Sequence, residues 1–226
     1  MNLNSLTPMV NDETAALLFL HGDQYLFRYR KQDGGVVYKF VSPAAVSTAF
    51  AEETIDTGWL PSHVARWGIG KRGEWLVVTF PPQKHRFSFG EDNGEMLTLK
   101  VPMPALAFFG YDQRYYLWAF KDSKLKDDTP LFAAPLPNVN ANGAICFGSN
   151  AVPKASAQAI GEAWQLFAAS PFTNHLCGGK SRQFPDDIRG QLMGLATQHR
   201  HRYPLDDLVG LNRTAEQMIR KTVDSG

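Results

Sequence analysis

Residues 135–148 read PLPNVNANGAICFG. Asn, Pro and Gly crowd the stretch, and too few strand formers stand in it to predict a strand throughout. Cys146 follows Asn142-Gly143-Ala144-Ile145, and Asn138 lies eight residues before that cysteine. A free cysteine is most often a small buried hydrophobe. An asparagine after proline is most often a turn residue whose side chain bonds the backbone. Asn140 and Asn142 also read as turn residues, and Gly143 as a position for an unusual backbone angle. The fold follows from what flanks this loop: strands before it and helices after it.

Upstream, short apolar runs alternate with turn signals. LLFLHG (17–22), QYLFRYR (24–30) and GVVYKFV (35–41) are separated by His21-Gly22-Asp23 and Asp33-Gly34-Gly35. They predict an antiparallel meander. Leu26, Arg28 and Arg30 alternate with Tyr25, Phe27 and Tyr29, the period of a half-buried strand. Ser42 as N-cap and Pro43 at the first helical position open a helix carrying Ala45, Val46, Ala49 and Phe50. Gly, Trp and Pro scattered through 57–73 predict a long structured loop. EWLVVTF (74–80), HRFSFG (85–90), MLTLKVPMP (96–104), ALAFFG (105–110) and RYYLWAFK (114–121) then read as one antiparallel sheet. Downstream, Ala157, Ile160, Trp164, Phe167 and Ala168 have helical spacing and predict a helix over 154–169. Two more helices are expected over 185–198 and 214–223. Strands followed by helices imply an α+β fold, with the helices on one sheet face or end.

The chain has 226 residues, 44% of them apolar, enough for a sizeable core. Lys+Arg number 23 against 22 Asp+Glu, a formal charge of +1. That balance argues against a general nucleic-acid binder and against a polybasic membrane anchor. No apolar run reaches a membrane span, the polar start is unlike a signal peptide, and a cytoplasmic protein is expected. Two cysteines, Cys146 and Cys177, cannot build a disulfide framework.

Other motifs have plainer readings. GIGKRGEW (68–75) lacks phosphate-loop spacing and leads into a hairpin. QHRHRYP (198–204) reads as a solvated basic helix end rather than a metal site. No serine stands in a nucleophile-elbow context. Asp127-Asp128 and Asp186-Asp187 read as surface charges. The basic-aromatic run Tyr25–Arg30 could stack on single strands, but an amphipathic strand explains it more simply. Cys177, two residues after His175, reads as a packing residue, with a His-assisted thiol as the sharper alternative.

Pro137-Asn138 keep the last two positions of the His-Pro-Asn tripeptide that precedes the catalytic cysteine of ubiquitin-conjugating enzymes. Gly143, Ile145, Cys146 and Phe147 keep later positions at the same spacing. Leu136 stands where that tripeptide has histidine, and Ala151-Val152-Pro153 where the family has tryptophan. The helix around Trp164, followed by Ser170-Pro171-Phe172-Thr173-Asn174, is similar to the family's post-cysteine helix and its Ser-Pro-Leu-Asn ending. More closely, the chain resembles prokaryotic ubiquitin-conjugating-enzyme-like family D, also called PRTRC system protein B, over roughly residues 15–220. Gly58-Trp59-Leu60-Pro61, Val101-Pro102-Met103-Pro104 and Ala134–Val139 carry that likeness.

The resemblance implies a conjugating-enzyme-like meander sheet with packed helices. The expected boundaries are 1–13 for a flexible lead, 14–56 for N-terminal strands and a first helix, 57–174 for a conjugating-enzyme-like core and 175–226 for a C-terminal helical extension, together one compact domain. The resemblance implies an acyl-transfer enzyme with Cys146 as the thioester-forming nucleophile. Asn138 would steady the oxyanion or brace the loop; loss of an oxyanion donor typically costs about 10²–10³ in rate. No cofactor and no metal are implied. The implied partners are a ubiquitin-like protein, an adenylating activating enzyme and an acceptor protein not named by the resemblance, with no nucleic acid and no membrane. The alternative is a catalytically inactive module that binds a ubiquitin-like protein or assembles a mobile-element cassette.

Overall fold

The computed structural model describes residues 16–20, 24–31, 33–51, 58–90 and 95–224. The lead at 1–13 and the His21–Asp23 turn lie outside them. The chain divides into two compact units, Met1–Thr57 and Gly58–Gly226.

The first unit holds the expected meander. Strands β1 (Ala16–Leu20), β2 (Gln24–Arg30) and β3 (Val36–Val41) pair antiparallel in that order. On β2 the alternation is real: Leu26 and Arg28 are buried, while Tyr25, Phe27 and Tyr29 are half-buried. Helix α1 (Pro43–Ala51) follows, and the Ser42 hydroxyl accepts the Ala45 N–H at 3.2 Å, as an N-cap does.

In the second unit the strands are β4 (Val64–Gly70), β5 (Gly73–Phe80), β6 (Gln83–Gly90), β7 (Met96–Met103), β8 (Ala105–Tyr111), β9 (Arg114–Phe120), β10 (Pro130–Ala133) and β11 (Gly210–Thr214). Six form an antiparallel sheet in the order β11-β10-β9-β8-β5-β4. Helices α2 (Ile160–Ala169), α3 (Ile188–Thr197) and α4 (Ala215–Asp224) come after the loop bearing Cys146. Among the described residues no helix is long and apolar enough to cross a membrane.

Every residue of β8 is buried, so its two faces serve two cores. Leu106 and Phe108 join Leu76, Leu117 and the α2 residues Ile160, Trp164 and Phe167. Ala107, Phe109 and Tyr111 join Val77, Trp118 and the α4 residues Met218 and Ile219. A side chain such as Phe108 or Phe167, with no exposed surface, contributes roughly 1.5–3 kcal/mol on burial.

Several expectations need correction. The loop expected over 57–73 contains strand β4, paired with β5. Its glycines were loop signals in the sequence, yet they are seats for rings. A Cβ on Gly68 would run into the Trp75 indole, and one on Gly70 would lie 2.7 Å from the Tyr111 hydroxyl. The strands after β5 do not make one sheet. β6 and β7 form a separate two-stranded ladder, and β5 pairs with β8. The helix expected from 154 begins at Ile160. Ser156 makes the start instead: its hydroxyl accepts the Ala159 N–H at 3.1 Å and its carbonyl the Ile160 N–H at 3.0 Å, while Ala155 N–H is bonded to Asp112 O at 2.6 Å and Ala157 N–H to the Glu74 carboxylate at 2.8 Å. The helices do not share one face, because α4 packs in the core opposite α2 and α3.

Candidate functional site

Chain leaving β10 drops Leu136 into the core with no exposed surface. The residue in the histidine position of the tripeptide is thus an apolar anchor. Residues 138–146 then form a small hairpin. Cys146 N–H donates to Asn138 O at 2.8 Å, and Asn140 N–H to Ala144 O at 2.8 Å. The hairpin is fastened to β9 by Leu117 N–H to Gly143 O at 2.8 Å and Ile145 N–H to Tyr115 O at 2.9 Å. Asn142 is a turn residue, its Oδ1 accepting the Ala144 N–H at 3.0 Å. Gly143 has φ +92°, and a Cβ there would collide with the Trp118 indole. Trp118 Nε1 donates to Asn142 O at 3.0 Å, so the indole supports the turn that presents the cysteine.

Asn138 is 9% exposed and sits at φ +60°. Its Nδ2 donates to Pro171 O at 3.1 Å, and its backbone N–H to His175 O at 3.1 Å. Both bonds tie the cysteine hairpin to the segment after α2. That segment is itself held to β6, by Gly90 N–H to Phe172 O at 3.1 Å and Phe172 N–H to Ser88 O at 2.8 Å. One amide hydrogen of Asn138 thus braces the loop.

Cys146 is partly exposed and opens on a surface cleft of about 540 Å³. Asn138, Phe147, Ser149, Asn150, Pro171 and His175 also line it. The cleft holds no carboxylate and no lysine among its lining residues; apart from Cys146, His175 is the side chain there that can take up a proton. Cys177 belongs elsewhere. It is 6% exposed, its Sγ donates to Thr173 O at 3.3 Å, and burial pushes its thiol above the ordinary range. His175 thus faces the cleft of Cys146, and Cys177 is a packing residue.

The model of Prokaryotic E2 family D matches residues 37–211, more than half of the chain. The chain belongs to Prokaryotic E2 family D. No curated protein and no solved structure matched it.

Two further residues of this family-D chain escaped the sequence reading. Lys180, 2% exposed, donates from Nζ to Leu136 O at 2.6 Å and to Leu176 O. Those carbonyls flank the site on both sides, two residues before Asn138 and one after His175. Burial without a carboxylate partner lowers the Lys180 amine to about 8. Asp207, also 2% exposed, accepts from Ser181 Oγ at 2.9 Å and Gln183 N–H at 2.7 Å on one oxygen. On the other it accepts from Gln191 Nε2 at 2.5 Å and Tyr203 hydroxyl at 3.2 Å. Burial opposes its charge, but these four donors outweigh it and hold the carboxyl below the usual range. The hub locks residues 181–184 beside Lys180. Neither residue carries a local motif: a lysine after two glycines and an aspartate in LDD both read as surface.

Proposed function

We propose that this chain is a cytoplasmic conjugating enzyme that carries a ubiquitin-like protein as a thioester on Cys146 and passes it to an acceptor amine. The observation carrying the reading is the partly exposed Cys146 thiol on an open cleft beside Asn138, in a chain of an E2 family. In this reading residues 57–174 are the core, and 14–56 and 175–226 are additions to it.

The chemistry runs in two acyl transfers. The Cys146 thiolate attacks the carbonyl carbon of the modifier's thioester on an adenylating activating enzyme. A C–S bond to Cys146 forms, the original C–S bond breaks, and the activating enzyme's thiolate leaves. An acceptor amine then attacks the same carbon, and the tetrahedral intermediate expels the Cys146 thiolate as the amide forms. One amine proton must go, and this reading assigns its removal to His175, which lines the cleft. Asn138 acts as the brace that keeps hairpin and Pro171–His175 segment in register.

The test is a charging reaction with the activating enzyme, the ubiquitin-like protein and ATP, resolved on gels with and without reductant. A reductant-sensitive adduct in the native chain, absent in Cys146→Ala, is the expected result. His175→Ala should charge normally and discharge to amine more slowly, by about 10²-fold or more. Absence of adduct while the activating enzyme itself is charged refutes the carrier role. Non-covalent capture of the modifier by both native chain and Cys146→Ala would then favour the inactive-module reading.

A further inference from the structure

The basic run His199-Arg200-His201-Arg202 takes no part in the cleft chemistry. All four side chains are exposed. Among the described residues none of them has an ion-pair partner. A chain with a formal charge of +1 has therefore gathered two arginines and two histidines on one loop. The loop is held at both ends. His199 N–H donates to Ala196 O and Arg200 N–H to Leu195 O, each at 3.0 Å, closing helix α3. Beyond the run, Tyr203 hydroxyl lies 3.2 Å from both Gln191 Oε1 and Asp207 Oδ2. Of the two carboxylates that follow the run, Asp207 is committed to that buried hub, and Asp206 is exposed but makes no ion pair with the run among the described residues.

His201 and Arg202 form one wall of a groove of about 380 Å³. Pro82, Met103, Pro104 and Leu205 also line it, and Leu205 is 39% exposed. We propose that this groove, with the exposed run beside it, docks an acidic, extended segment of a partner protein, its carboxylates on Arg202 in the groove wall and on Arg200 next to it, and an apolar side chain against Leu205 and Pro82. Charge complementarity selects the acidic partner, and a loop already fixed loses little entropy on binding it. Tyr203, the groove's phenol ring, is 4% exposed and so is not offered for stacking on bases. Strand β6 begins in the groove at Gln83 and ends at Gly90, bonded to Phe172 beside the Cys146 cleft. An eight-residue strand separates the two by about 23 Å, so a docked segment leaves the thiol open. The proposal does not depend on the thioester chemistry.

The probe is a fluorescein-labelled peptide alternating glutamate with leucine, read by anisotropy against the full chain at low salt. Saturable binding is expected, weakened about tenfold or more by Arg200→Glu with Arg202→Glu, since like charge then meets the peptide. Arg200→Gln with Arg202→Gln should weaken it less, and Leu205→Ser should weaken this peptide but not an all-glutamate one. Circular dichroism checks that the variants fold. No saturable binding, binding indifferent to the charge reversal, or tighter binding of oligothymidine or phosphatidylserine vesicles overturns the proposal.

Discussion

Replacing Lys180 with methionine tests how the site is held together. The wild-type ammonium is buried against two carbonyls, Leu136 O and Leu176 O, and burial lowers it to about 8. In the unfolded chain a lysine titrates near 10.4. Between those values the unfolded chain binds a proton that the folded chain has released, so stability rises with pH through this window. The neutral amine keeps two N–H donors, one for each carbonyl, so deprotonation removes the buried charge without breaking the clamp. With these two values the contribution is negligible at pH 7 and reaches about 2 kcal/mol near pH 9.5. Lys180→Met leaves both carbonyls without this donor, at about 1–3 kcal/mol each, partly offset by relief from burying a charge. We expect the variant to be less stable at pH 7 by about 1–3 kcal/mol, with the gap to wild type widening by about 2 kcal/mol at pH 9.5. Urea unfolding of both proteins at the two pH values measures this. Repeating the pair in a Cys177→Ala background removes the neighbouring thiol from the comparison. A gap that stays constant or narrows with pH would falsify the reasoning, because the buried amine would then not be the titrating group.

At neutral pH, iodoacetamide should alkylate Cys146 about tenfold or more faster than Cys177, whose thiol is buried and raised in pKa; peptide mass spectrometry of timed samples gives both rates, and equal rates would contradict the burial difference. Gly143→Ala places a methyl against the Trp118 indole at φ +92°, and a loss of about 2–4 kcal/mol in urea is expected. A loss within error of zero would mean that the turn is not tightly held. Asp207→Asn should lower stability by about 2–4 kcal/mol at pH 7, since a carboxamide nitrogen cannot accept from the donors that the second carboxylate oxygen serves. The wild-type advantage is present above the ordinary carboxylate value near 3.9 and is lost as pH falls through the lower folded value. Unfolding curves that keep the gap unchanged below pH 3 would count against an ionised hub.

Read alone, the sequence determined the features that depend on neighbours in the chain. Alternation and turn residues were enough for β1 to β3, and Ser42-Pro43 for α1. The spacing of Asn138 to Cys146, with Gly143 between, was enough to nominate the cysteine loop. Positive φ at a glycine and an N-cap are local demands, so they leave local signatures. Tertiary structure decided what depends on distant atoms. β4 exists because Trp75 and Tyr111, brought from other strands, occupy the space that Gly68 and Gly70 leave open. The residues before α2 are tied to distant chain, Ala155 N–H to Asp112 O and Ala157 N–H to the Glu74 carboxylate. His175, two residues from Cys177 in sequence, faces the cleft of Cys146 instead, because Asn138 bonds its carbonyl across the fold. Lys180 and Asp207 look like surface charges in any local window. Only packing, by excluding water from a charge and offering it backbone and hydroxyl partners, turns each into a fastening of the site.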